Sequence, residues 1–87
     1  MNNALNTPSP HDLALLSAVV RQVARRHRLP AHDADDFAQS VHLRLLERHY
    51  DLFHRFTGGS SLRTYLTTAV TRLLLDWRNA RRMRVQK

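Results

Sequence analysis

The chain has 87 residues and no cysteine, which allows one small domain and excludes a disulfide framework or a thiolate metal site. Fourteen Lys and Arg stand against seven Asp and Glu, and the net charge of +7 points to a polyanionic partner, nucleic acid ahead of an anionic membrane surface. No apolar run is long enough to span a bilayer, and Met1 to Pro10 lacks the basic and apolar segments of a secretory signal, so a cytoplasmic protein is expected.

The charge is unevenly spread. Residues 1–30 hold four Arg and one Asp, residues 31–60 hold three Arg and five acids, and residues 61–87 hold six Arg, one Lys and one Asp. An acidic middle beside a strongly basic last third suggests two faces for two different partners. The only glycines are Gly58 and Gly59, the prolines (Pro8, Pro10, Pro30) fall in the first third, and Leu, Ala and Arg are abundant. This composition favours helices over a sheet.

Residues 1–9 read as a disordered lead-in, followed by one helical domain over 10–87. Ser9 is placed to cap a first helix, with Pro10 at its first position and Asp12 at the positive end of the dipole. Leu13, Leu16, Val20, Val23 and His27 recur at spacings of three and four, as one buried face should. Arg21, Arg25 and Arg28 fall on another face, and Pro30 is expected to end the helix. A second helix is expected from His32 or Asp33, with Asp33 as cap, to about His49; its core stripe is Ala34, Phe37, Ala38, Val41 and Leu45. Leu43, Leu46 and Tyr50 lie off that stripe. Tyr50, Phe53 and Phe56 suggest a short helical turn, and Gly58 to Ser61 a flexible turn ending in a cap. A third long helix is expected from Leu62 to Arg82, with Leu62, Leu66, Ala69, Leu73 and Trp77 on its core face and Val70 and Leu74 widening it. Three amphipathic helices with short connections make an all-α, three-helix bundle.

Four stretches then carry a family resemblance. Asp33-Ala34-Asp35-Asp36-Phe37-Ala38-Gln39, Leu43-Arg44-Leu45-Leu46, Ser61-Leu62-Arg63-Thr64-Tyr65-Leu66, and Ala69 to Asp76 followed by Arg78, Arg81 and Arg82 stand in order and at fitting spacing over roughly residues 12–84. Together they resemble region 2 of the bacterial sigma-70 family of RNA polymerase sigma factors, most closely the extracytoplasmic-function group. Tyr65 stands where that group usually has Trp, and Arg72 where it usually has Asn. The upstream-reading second helical domain of such factors has no counterpart in these residues.

The resemblance implies a transcription initiation factor domain that binds the coiled coil of the largest subunit of the polymerase core and recognises and melts the promoter −10 element. Asp33, Asp35, Asp36, Gln39, Leu43 and Glu47 would meet the polymerase, since acids steer toward a basic partner and one exposed Leu anchors. Arg63, Thr64, Arg72, Trp77, Arg78, Arg81, Arg82 and Arg84 would meet DNA, the arginines lying on or near one side of the third helix. The plainer readings are that the acids only cap a helix and the arginines form a solvated face. Three acids with Gln39, and six Arg with little compensating acid, weigh against them. Tyr65 is expected in the core with its hydroxyl at the surface. An anti-sigma factor is a further possible partner, and a polymerase- or anti-sigma-binding domain without DNA recognition is the alternative.

No enzymatic role is expected. Gly58-Gly59 lacks the Lys-Ser/Thr of a phosphate-binding loop, and no Ser has a base and orienter. No cofactor and no metal are expected either: six histidines occur, but none pairs at the tight spacing of a zinc site. A membrane role ranks last, because the core claims the apolar face of the basic helix.

Overall fold

The computed structural model describes residues 7–85, with side chains to Met83. Most of the expected lead-in lies outside the described residues. The elements are α1 (Pro10–Arg26), α2 (Ala31–Glu47), a one-turn α3 (Asp51–His54) and α4 (Leu62–Val85). The all-α expectation holds as three long helices in a bundle, with α3 covering one end of the core. Among the described residues, no helix is long and apolar enough to cross a membrane.

α1 starts as its sequence dictates. The Ser9 hydroxyl accepts from the Asp12 N–H (3.1 Å), and the Ser9 N–H donates to the Asp12 carboxylate (3.3 Å), a reciprocal capping box. Its end differs from expectation. α1 stops at Arg26, before Pro30 can act, because the chain turns left-handed at Arg28 (φ 60°). The N–H groups of Arg28 and Leu29 then donate to the carbonyls of Arg25 and Ala24, both at 3.0 Å. This Schellman closure satisfies two end carbonyls and tucks Leu29 against the core.

Pro30 is the N-cap of α2, and its carbonyl accepts from the Ala34 N–H at 2.8 Å. Asp33 therefore sits inside the first turn and does not cap, correcting the expected start. α2 closes like α1: His49 is left-handed (φ 53°), and Tyr50 N–H donates to the Leu45 carbonyl (2.9 Å). Tyr50 is left-handed too (φ 63°), and this second reversal launches α3. Gly58 takes φ 88°, and the Ser61 hydroxyl then accepts from the Thr64 N–H at 3.1 Å to cap α4.

The core joins Leu16, Val19, Val20 and Val23 of α1, Phe37, Val41 and Leu45 of α2, and Leu66, Val70 and Leu74 of α4, all buried. Each such side chain contributes about 1.5–3 kcal/mol on leaving water. Val70 and Leu74 widen the stripe of α4 as expected, and Val19 joins from α1 because three helices converge, which buries more than a single helical face requires. Tyr65 departs from expectation: its hydroxyl is turned inward and donates to the Leu52 carbonyl, tying α4 to α3. Burial raises its pKa above the usual tyrosine value, with Arg55 lowering it and Asp51 raising it to lesser degrees.

Candidate nucleic-acid and protein interface

The acidic half of α2 divides between two roles. Asp35, Gln39, Leu43, Leu46 and Glu47 are exposed on the side away from the core, and Leu43 and Leu46 are each 58% accessible. A pair of large aliphatic side chains open to solvent between acids and an amide is the composition of a protein-docking face. Asp33 and Asp36 turn instead toward α4. Arg81 lies 3.4 Å from Asp33 Oδ1 and 3.5 Å from Asp36 Oδ2, and His32 Nε2 is 3.5 Å from Asp36. The donor atoms of His32, Asp33 and Asp36 come within 4.8 Å of one another, but the Arg81 guanidinium already neutralises the carboxylates.

Three of the arginines expected to face DNA from the last helix are engaged by α1 and α2. Arg63 Nη1 donates to Gln22 Oε1 of α1 at 3.3 Å. Arg78 Nη2 donates to the His27 carbonyl at 2.8 Å, which satisfies an end carbonyl of α1. Arg81 is held by α2 and also lies over the Trp77 ring, 4.6 Å from its centroid. Trp77 packs on Phe37 with ring centroids 5.6 Å apart, so it is a half-buried core residue. Arg63, Thr64, Arg72 and Arg82 of that set are exposed on α4, and of these arginines only Arg63 has a side-chain partner on another helix among the described residues. The hydroxyls of Thr67 and Thr71 donate back to the carbonyls of Arg63 and Thr67. The Arg84 side chain lies outside the described residues.

Sequence reasoning missed a cleft between α2, α3 and α4. It has a volume of about 380 Å³, with apolar walls that include Val41, Leu45, Leu52, Ala69 and Leu73, and a rim of Arg44, Arg48, Arg55 and Arg72. Asp51 pairs with Arg55 at 2.9 Å. Arg44, Arg48 and Arg72 have no carboxylate partner among the described residues. Apolar walls under a cationic rim suit a ligand with flat apolar faces and phosphates. The signal was present: Arg44 and Arg48 are one turn apart at the negative end of α2, but counting charge by thirds averaged them with Asp33, Asp35 and Asp36.

The profile of the family described as Sigma-70 region 2 matches residues 15–84. No curated protein and no solved structure gives a significant match. The matched span contains α2 whole, most of α1 and nearly all of α4, with the docking face, the basic cleft and the Arg81 cluster inside it. The chain belongs to the sigma-70 family as a region 2 domain.

Proposed function

We propose that this domain docks on the polymerase core through the outer side of α2 and holds the promoter −10 element in the cleft beside it as the DNA opens. Family membership gives the coarser role, a domain of transcription initiation that binds polymerase. One observation carries the finer reading: a single helix, α2, presents Gln39, Leu43 and Leu46 outward and Arg44 and Arg48 to the cleft. Two partners can therefore be engaged at once, polymerase on one side and a DNA strand on the other. Arg rims meet phosphates, and the apolar walls and Tyr65 accept unstacked bases. The energy released by binding the unpaired strand stabilises melted DNA, with no covalent step.

A second reading, a polymerase- or anti-sigma-binding domain without DNA recognition, draws on the engagement of Arg78 and Arg81 inside the protein. Two variants separate these readings. Gln39→Ala with Leu43→Arg is expected to abolish pull-down of polymerase core while the domain stays folded, because both side chains are exposed. Arg44→Gln with Arg72→Gln is expected to keep polymerase binding and weaken retention of a −10 single strand. Unchanged strand retention by the second variant would move the strand off the cleft, and failure of the parent itself to retain the strand, with polymerase binding intact, would establish the reading without DNA.

A further inference from the structure

Arg21, Arg25 and Arg28 have no place in the docking face or the cleft. Arg21 and Arg25 lie one turn apart on α1, and Arg28 follows at the left-handed residue that closes it; all three are exposed. None has a carboxylate partner among the described residues. The one acid of α1, Asp12, is at its opposite end and is engaged in the capping box. Two arginines of α4 reach across to the same helix. Arg63 binds Gln22, next to Arg21 in sequence, and Arg78 binds the carbonyl of His27, next to Arg28. The basic surface that a sequence reading assigns to α4 is in this way partly assembled on α1.

We infer that this face of α1 is a second DNA-contact surface, one that grips the phosphate backbone of duplex DNA. The inference rests on the DNA-binding reading above and extends it to a different helix and a different form of DNA. Arg21 and Arg25 stand about 6 Å apart along the axis of α1, Arg28 follows just beyond the helix end, and a DNA strand advances about 3.4 Å per nucleotide. Guanidiniums at successive turns of this kind can each meet a phosphate of one strand. No aromatic side chain and no apolar wall accompanies them, since the other exposed positions between Arg21 and Arg28 are Gln22 and Arg26. A surface of charge without stacking groups suits a duplex, whose bases are already stacked, and the cleft, which has both, suits an unpaired strand. The cleft is lined by α2, α3 and α4 and by no residue of α1, so the two surfaces are separate. An anionic membrane is the weaker occupant, because α1 offers no exposed large apolar residue to enter it.

The test is the salt dependence of DNA binding, read by fluorescence anisotropy with the full chain on a labelled duplex and on the matching single strand. The variant is Arg21→Gln, Arg25→Gln, Arg28→Gln, checked for unchanged helicity by circular dichroism; the corresponding Lys variant preserves charge. For the duplex, the slope of log K against log salt is expected to fall by about 2.7 in magnitude in the Gln variant, from three lost phosphate contacts at about 0.9 each. The Lys variant is expected to keep the parent's slope, and single-strand binding to stay within twofold in both. An unchanged duplex slope overturns the α1 surface and leaves the cleft reading intact. An equal fall for duplex and single strand also overturns it, since it reports net charge alone. Binding of neither DNA by the parent at low salt overturns both readings together. Loss of binding to phosphatidylserine vesicles with duplex binding unchanged would assign the surface to membrane instead.

Discussion

Arg81 of α4 lies 3.4 Å from Asp33 of α2, and the same guanidinium lies over the ring of Trp77. One side chain thus links the basic end of the last helix to the acidic start of the second. Both ends of the pair are partly exposed, so water and salt screen it and it contributes about 0.5–1 kcal/mol. A double-mutant cycle with Arg81→Met and Asp33→Asn, followed by urea unfolding, is expected to return a coupling of that size that shrinks with added salt. Trp77 is the sole tryptophan, so Arg81→Met is also expected to change the intrinsic fluorescence of the folded domain. Identical spectra and zero coupling would show that the pair does not persist in solution.

Phe37 is fully buried and touches Trp77 at the junction of α2 and α4. Phe37→Ala is expected to cost about 3–5 kcal/mol through lost transfer energy and a residual cavity. A domain of this size has only about 4–13 kcal/mol of stability in all. Far-UV circular dichroism at 37 °C is expected to show much weaker helicity or a sharply lowered melting point. A melting point close to the parent's would mean that the site collapses around the missing ring.

His49 is left-handed at the close of α2, a conformation that costs a residue with a Cβ about 1 kcal/mol and glycine almost nothing. Its side chain is exposed. His49→Gly is accordingly expected to stabilise the domain by about 1 kcal/mol, raising Tm by roughly 4–8 °C. A lower Tm in calorimetry would show that the imidazole has a stabilising role larger than the backbone strain.

Tyr65 makes stability pH-dependent in the alkaline range. Burial disfavours its ionised form, so its pKa in the folded state lies above the unfolded value of about 10. Its contribution is complete below pH of about 10 and is lost as the pH rises through the folded value, because the unfolded chain ionises first. Tyr65→Phe removes the bond to the Leu52 carbonyl and is expected to cost about 1 kcal/mol at neutral pH. The same variant is expected to flatten the decline above pH 10, measured by urea midpoints across the alkaline range.

Much of the fold is written locally. Ser9, Pro10 and Asp12 start α1 through groups within four residues, and the spacing of Phe37, Val41 and Leu45 fixes the buried side of α2 whatever packs on it. The same holds for the outward position of Gln39 and Leu43, since a helix that buries one stripe must expose the opposite one. The helix ends were harder to read, because Arg28, His49 and Tyr50 take left-handed backbone without glycine to announce it. That conformation is held by local end-capping hydrogen bonds together with the packing of Leu29 and Tyr50 on the core, and the packing is a tertiary effect.

The sequence by itself determined the helices, the core stripes, the charge imbalance and the family pattern, because each rests on residue type and on spacing along one helix. The tertiary structure alone decided what each arginine does. Arg78 and Arg81 look equivalent to Arg72 and Arg82 in a charge count, yet crossing helices bring a carbonyl and two carboxylates to the first pair and leave the second pair open. Long flexible side chains take whichever partner the packing of other helices brings within reach, and that partner lies 45 to 51 residues away in the chain.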